Sequence, residues 1–514
     1  MSRVASEPRS SSHSATVVVE HYISIVSHRV QVLMKRLEDV GRPKYASSSA
    51  GTLAEILIRI LSCFFETLRL LHEEIDSQPP DDIIRNVQTI HVYAIKIIPE
   101  LIEAVRMANS DSPTASIVEA YENLGDLIQY GTQAIIHPTW EYNASFDEIM
   151  TTLKTMTRTL GQDTGQAIFS GAPRSFVIIT YPIAEEDMIL RHAFIAHEIG
   201  HFIDSIEGWS RSLLEGQVFH ENDRSCLREA VQGQREESDK EREYSEALTM
   251  AGAIVSSWIK EGIADFLAVC VLGPAYLLAF DEVSLSPKYS SPKRLSRSHP
   301  PGQLRKEIMG ELIEELYWAS VRSNEVFRKL DQEEQAVFSS VCEWIDAIVQ
   351  AEPVEFTSIA NGPDFSTQVT TAIYSVLARA VRRAIAKLKA SQLDRIKQSK
   401  WSCTSEDIVD ALRLQDLLSH GLTPTELYSD RGRDPSFAAI MNSGWFHFLH
   451  EKENYLYFSE DRLEGSSPDQ VRDKYASLQN LVAKAVESLH FKREFLRRKG
   501  THGEKNRLQH PHKK

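Results

Sequence analysis

Two pairs of side chains, each spaced by four residues, limit how this chain can fold. His197 and His201 lie in Arg191-His192-Ala193-Phe194-Ile195-Ala196-His197-Glu198-Ile199-Gly200-His201-Phe202-Ile203-Asp204. Glu261 and Asp265 lie in Trp258-Ile259-Lys260-Glu261-Gly262-Ile263-Ala264-Asp265-Phe266-Leu267-Ala268. On a helix, residues four apart stand about 40° from each other around the axis and ~6 Å along it, so each pair shares a face. Two imidazoles so placed can grip one ion. Glu198 follows the first of them, where its carboxylate can reach a water on the ion's open side and take its proton. With two free positions, His-Glu-x-x-His is insufficient by itself and needs a third ligand. Glu261 completes a His-His-Glu set that leaves the fourth tetrahedral position to water, and Asp265 can accept the other ring N–H of a ligating histidine and fix its tautomer.

These residues carry a resemblance. His-Glu-x-x-His followed by Glu-x-x-Ala-Asp-x-x-Ala is similar to the gluzincin metallopeptidases, in particular the CaaX-prenyl endopeptidase and HtpX-like family. A third segment, Ser298-His299-Pro300-Pro301-Gly302-Gln303-Leu304-Arg305, resembles the Ser/Thr-His-Pro-Pro-x-x-x-Arg stretch that follows the third ligand in that family. The resemblance covers roughly residues 175 to 310. It implies one zinc ion per chain held by His197, His201 and Glu261, with Glu198 as base and acid and Asp265 behind a ligating histidine. His299 would steady the tetrahedral intermediate, its ring held at the cleft's edge by the rigid Pro-Pro that follows. Arg305 would contact substrate or transition state. The implied activity is that of a metalloendopeptidase acting on a protein or peptide. Two features depart from the family: its members are usually membrane-embedded, and here a long polar insertion separates His201 from Glu261.

Two other readings stand beside it. One is a narrow-specificity regulatory peptidase, resembling the repressor-cleaving ImmA and IrrE type in its His-Glu-x-x-His and Ala-rich second helix, though the His-Pro-Pro segment and the long insertion fit that type less well. The other is a non-catalytic helical interaction scaffold around a structural zinc.

No membrane span is expected. The run Leu53 to Leu71 is interrupted by Glu55, Arg59, Glu66 and Arg69, which suits an amphipathic bundle helix. The run Phe266 to Phe280 is too short and is broken by Gly273-Pro274, so it reads as a buried helix ending at Gly273 with a short continuation. The net charge of -15 argues against general nucleic-acid affinity. Five scattered cysteines, Cys63, Cys226, Cys270, Cys342 and Cys403, lack Cys-x-x-Cys spacing and read as reduced, buried thiols of a cytoplasmic protein.

The expected fold is mainly α with a small β-sheet: a zincin-like metallopeptidase core flanked by N- and C-terminal helical regions. Its parts are a disordered N-terminus over 1–16, a helical bundle over 17–138, and a zincin-like catalytic domain over 139–325 with a polar insertion at 205–245. A helical C-terminal region over 326–490 and a basic flexible tail over 491–514 follow. Apolar positions recurring at three and four spell four bundle helices, with breaks at Gly41-Arg42-Pro43, Gln78-Pro79-Pro80 and Asp111-Ser112-Pro113, the last helix reaching Ile136. Pro99 should kink the third.

Ser175 to Tyr181 is the strong strand, and zincin folds often use a strand in that place as the edge along which an extended substrate lies. Glu185, Glu186 and Asp187 suit the first turn of the helix after it. His192 is off the ligand face and reads as structural, while His220 sits in a polar segment expected to be a mobile surface loop. The charged run Arg235 to Glu243 reads as a solvated helix face. Helices are expected over Gln303 to Leu330, Glu333 to Gln350, Ser366 to Ala390 and Thr404 to Ser419. Thr404 with Asp407 forms an approximate capping box, and Asn361 to Phe365 and Ser391 to Lys400 read as connectors. The aromatic segment Phe437 to Tyr457 reads as a packed subdomain or else as a partner-binding face, packing being the reading preferred. A last helix over Pro468 to Lys499 turns basic, and its tail is either free or a contact for an acidic partner or nucleic acid.

Overall fold

A computed structural model describes residues 10–40, 48–108, 132–139, 143–145, 149–158, 167–173, 175–183, 187–216, 218–231, 237–284, 293–323, 325, 327–350, 356–399, 401–425, 434–451, 473–489 and 491–492. The chain is mainly helical with a small sheet, and it divides into two compact units. No helix of the described residues is long and apolar enough to cross a membrane. Several expectations fall outside the described residues: the N-terminus before residue 10, Trp140 to Tyr142, Glu185 and Glu186, Arg235, Tyr455 and Tyr457, and the basic tail from residue 493.

The first unit takes Met1–Val118, Gln129–Thr139 and Ser145–Thr180. Its helices are α1 (Ser10–Val40), α2 (Ser48–Glu73), α3 (Pro80–Val92), α4 (Ile98–Ala108) and α5 (Ile149–Arg158), with strand β1 (Thr132–Thr139). Apolar residues at helical spacing, among them Val30, Leu57, Ile60, Phe64, Ile98 and Leu153, are fully buried in one core. A π-helical turn, Tyr93–Ile97, joins α3 to α4 ahead of Pro99. A proline removes one backbone donor and crowds the carbonyl four residues back, and a wider turn relieves both. The expected kink is therefore a local change of helix type.

Three expectations about this unit are corrected. Helix α1 already runs from Ser10, so residues 10–16 are helical. Thr132–Thr139 is a strand where a fourth helix was expected to reach Ile136; Ile135 and Ile136 are β-branched, fully buried and flanked by Thr132 and Thr139. The described residues between Ser145 and Thr180, among them Ile149, Leu153, Met156 and Phe176, pack with the bundle, so the boundary expected at 139 falls elsewhere. The expected strand is present as β3 (Ser175–Pro182), with β2 at Asn143–Ser145. The sheet order is β1-β3-β2, so among the described strands β3 is the middle one and not the edge expected to receive a substrate.

The second unit includes Tyr181–Lys514, so the expected catalytic and C-terminal regions are one body here. A 3₁₀ turn, Arg191–Phe194, leads into α6 (Ile195–Glu207), later than the acidic residues at 185–187 suggested. The polar insertion is ordered where described, as α7 (Trp209–Leu214), α8 (Glu221–Val231) and the start of α9 (Glu237–Leu272). Asp223 of α8 is almost fully buried and accepts from Arg379 Nε (2.8 Å), Arg383 Nη2 (2.6 Å) and the His220 backbone N–H (3.0 Å). That clamp, onto a helix far along the chain, is why the mobile loop expected around His220 is instead anchored.

Helix α9 is the axis of this unit. Its first turns, Glu237 to Glu243, are solvated as the charge pattern suggested; from Tyr244 one face is covered, and from Glu261 to Leu272 every residue is buried. It ends where expected, at Gly273, whose φ of +60° is the left-handed conformation that favours glycine. Helix α10 (Pro274–Ser284) then leaves in a new direction. The elements that follow are β4 (Arg294–Leu295), α11 (Gly302–Ile313), a π turn at Glu314–Trp318, α12 (Ala319–Ser323), α13 (Gln332–Val349), β5 (Ser358–Ile359), α14 (Thr367–Lys397), α15 (Ser405–Ser419) and α16 (Phe437–His450). Residues 473–489 are also helical.

Thr404 and Asp407 form the expected capping box, and α14 runs through most of the expected connector at 391–400. Strands β4 and β5 pair in parallel, Arg294 with Ser358 and Leu295 with Ile359, a pairing too short to read from sequence. Trp445 and Phe446 are buried, so that part of the aromatic segment is packed. Cys270, Cys342 and Cys403 are buried and free as expected; Cys63 and Cys226 are free but only partly buried.

Candidate metal centre

Helix α6 crosses α9 at a point where only a glycine fits. A Cβ on Gly200 would lie 2.7 Å from Ala264 Cα and 2.9 Å from Ala264 O, inside any tolerated contact. Gly200 stands one residue before His201, and Ala264 lies between Glu261 and Asp265. The crossing therefore puts both four-residue pairs against each other.

The three residues expected as ligands converge. His197, His201 and Glu261 each offer an atom within 4.8 Å of the others, the one such group among the described residues. Glu261 Oε2 is 3.4 Å from His197 Nε2, and Glu261 Oε1 is 3.3 Å from His201 Nε2. Ligand atoms around a tetrahedral ion with bonds of about 2.0–2.1 Å stand roughly 3.3 Å apart, and each imidazole meets one of the two Glu261 oxygens at about that spacing. Glu261 Oε2 is buried without a hydrogen bond, although Arg305 Nη1 lies 3.2 Å away, because the guanidinium is not aligned for one. A buried carboxylate oxygen left in that state fits a cation, and the donor set of two imidazoles and a carboxylate suits zinc. His220 joins no such group.

Asp265 Oδ1 lies 2.9 Å from His197 Nδ1. A carboxylate accepts, so Nδ1 keeps a proton and Nε2, which faces Glu261, is the nitrogen whose lone pair an ion would take. Asp265 and Glu261 sit in a stretch of α9 buried all round, where unpaired charge would be prohibitive. Arg305 answers both: its Nε and Nη2 donate to Asp265 Oδ2 and Oδ1 (2.7 and 2.6 Å), and its guanidinium lies 4.4 Å over the Phe280 ring. Burial would raise the Asp265 carboxyl, but the Arg305 charge and hydrogen bonds from His197 and Arg305 outweigh it and hold it at about 2. Glu261 is likewise held well below the usual carboxylate range, burial being outweighed by Arg305 and the two histidines. Burial opposes charge on His197, yet the carboxylates of Asp265 and Glu261 beside its two nitrogens prevail and raise its pKa to about 9.

Arg305 is thus corrected. It is 2% exposed and turned inward from the first turn of α11, onto Asp265 and Glu261 and away from solvent. Its sequence match gave its place but not its direction. His299 stands in the loop after β4, half-buried, with Nε2 3.7 Å from Glu261 Oε1 and Nδ1 2.8 Å from Ser298 Oγ. The Trp258 indole N–H holds that loop through Ser296 O (3.1 Å). Burial, the larger effect, lowers the His299 pKa. Glu198 is 8% exposed, and among the described residues its carboxylate makes no hydrogen bond or ion pair. His192 is fully buried edge-on to Tyr181, as the structural reading required.

Sequence reasoning missed Tyr276. Its hydroxyl donates to Asp265 Oδ1 (2.5 Å) and lies 3.1 Å from His197 Nδ1. The signal available was its place just past the Gly273-Pro274 break, which turns the chain back on the site. Comparison with protein-family models, with curated proteins and with solved structures found no match.

Proposed function

We propose that this chain is a zinc-dependent peptidase with a zincin-like core, hydrolysing peptide bonds of a protein or peptide substrate. The observation that carries the reading is the convergence of His197, His201 and Glu261 beside Glu198, a nearly buried carboxylate with no protein partner among the described residues. Three protein ligands with one position left open is the arrangement of catalytic zinc; structural sites are closed by four.

Bound zinc supplies Lewis acidity, polarising a carbonyl and making a water acidic near neutral pH. Glu198 takes a proton from the attacking water as the new C–O bond forms, then passes it to the nitrogen as the C–N bond breaks. With the Ser298 hydroxyl donating to Nδ1, His299 carries its proton on Nε2 and can donate to the developing oxyanion. Asp265 and Arg305 hold His197 and Glu261 in place and do not touch the substrate.

The test compares wild type with Glu198→Gln for metal content and for cleavage of an unfolded protein substrate. Stoichiometric zinc in both, with hydrolysis lost only in the variant, is the expected result. Zinc in both with equal hydrolysis, or none in either, would leave the protein a helical scaffold around a metal.

A further inference from the structure

We propose that Tyr276 is a positioning residue of the metal centre, aimed at Asp265 and His197 by the elbow between α9 and α10 that Asn442 clamps. This rests on the reading of His197, His201 and Glu261 as metal ligands.

Asp265 Oδ1 is the atom through which His197 is oriented, and three donors meet on it: His197 Nδ1, Arg305 Nη2 and the Tyr276 hydroxyl. A ring N–H with a carboxylate and a hydroxyl oxygen both within hydrogen-bonding distance has its direction set twice over. The Tyr276 ring is fully buried and runs nearly parallel to that of His197, 9° between planes at 6.1 Å. Phe194 and Phe280 pack their rings around the pair, which encloses the hydroxyl in apolar surroundings.

The elbow sets the aim. At Gly273 the chain enters the left-handed region and α10 departs from the line of α9. Such a break leaves backbone groups unpaired in the interior. Asn442 of α16, itself fully buried, takes two of them: its Oδ1 accepts from the Ala275 N–H (2.9 Å), and its Nδ2 donates to Leu272 O (2.8 Å). Tyr276 is the next residue. A helix of the C-terminal region thus fixes the direction from which the hydroxyl reaches the site.

The decisive comparison is Tyr276→Phe against Tyr317→Phe. Both tyrosines are buried and each loses one hydroxyl hydrogen bond onto the α9 stretch; Tyr317 donates to Val269 O (2.8 Å), away from the ligands. Phenylalanine keeps the ring and its packing, so both variants should fold. Zinc affinity is measured by chelator competition, the absorption spectrum with cobalt in place of zinc, and unfolding by thermal melting. Tyr276→Phe should weaken zinc binding about tenfold, the low end of what such supporting groups contribute, and change the cobalt bands. Tyr317→Phe should lower the melting temperature and leave both unchanged. Asn442→Ala, which keeps the tyrosine itself, should weaken zinc binding in the same direction. Wild-type affinity and cobalt spectrum in Tyr276→Phe would overturn the assignment, as would equal losses in the two tyrosine variants. Wild type that binds neither zinc nor cobalt would sink the metal-centre reading itself, a different failure.

Discussion

Gly200→Ala is the sharpest probe of how the centre is built. In a helix interior the change alone is favourable by up to about 1 kcal/mol, since glycine is the more costly residue to order. Here the added methyl would lie 2.7 Å from Ala264 Cα and 2.9 Å from Ala264 O. Carbon atoms in contact prefer about 3.5–4.0 Å, so the helices must separate by roughly 0.8 Å, and neither obstructing atom is a side-chain tip that could swing away. Overpacking of this kind costs about 1–3 kcal/mol, leaving a net loss of up to about 2 kcal/mol after the helix gain. The effect on the ligands is larger in proportion. His201 is the neighbour of Gly200, Glu261 sits three residues before Ala264, and ligand positions tolerate displacements of about 0.2 Å. Zinc affinity should therefore fall by more than tenfold. Gly252→Ala supplies the control: it lies on α9 with nothing within 4 Å of the added Cβ, and should be neutral to stabilising. Thermal melting in chelator and zinc titration of both variants decide the matter. A Gly200→Ala protein as stable as Gly252→Ala, with unchanged zinc affinity, would refute the crossing as the device that joins the two pairs.

Three further outcomes follow from the same geometry. His197 in the metal-free protein has its pKa raised from 6.5 to about 9, so its contribution to stability is complete below pH 6.5 and lost as pH rises through about 9. Zinc must displace that proton, so zinc affinity should climb with pH up to about 9, by roughly tenfold per unit; a flat titration series would contradict it. Arg305→Met removes the partner of two buried carboxylates and should destabilise by about 3–5 kcal/mol, read as a large fall in melting temperature or loss of soluble protein. Asp223, whose burial is outweighed by Arg379 and Arg383 so that its pKa is lowered, holds α8 to α14 above the ordinary carboxylate range and releases it as pH falls below. Asp223→Ala should speed hydrogen exchange across Glu221–Val231, while an unchanged exchange pattern would deny the clamp.

The meeting of His197, His201 and Glu261 was legible because a four-residue repeat on a helix is a geometric statement, and two such repeats in apolar surroundings have few ways to satisfy their polar groups. The break at Gly273 was legible for a similar reason, since glycine followed by proline ends a helix by local sterics alone. What failed to show was direction. Arg305 and Tyr276 point inward because α11 and α10 arrive at particular angles, and those angles are set by Asn442 and by packing among helices distant in sequence. Register across a sheet is equally non-local, so β3 could be recognised as a strand but not placed between two others. The short pair β4–β5 holds too few residues to leave a pattern, yet it anchors the loop that carries His299. Thr132–Thr139 was misread because β-branched residues also fit the spacing of a helix face.

The single long rod α9 has a consequence for how this protein would fail. Its last turns are at once the most enclosed part of the second unit and the source of two carboxylates at the centre. Interior and chemistry there share one piece of backbone, with no hinge between them that could give way first. On the proposed reading of the site, ion loss and melting of that interior become one cooperative event, with a midpoint that climbs as free zinc is raised. Random substitutions that loosen Trp258, Phe266 or Leu267 would accordingly surface in a screen as zinc-requiring alleles, rescued by supplementing the medium with the ion.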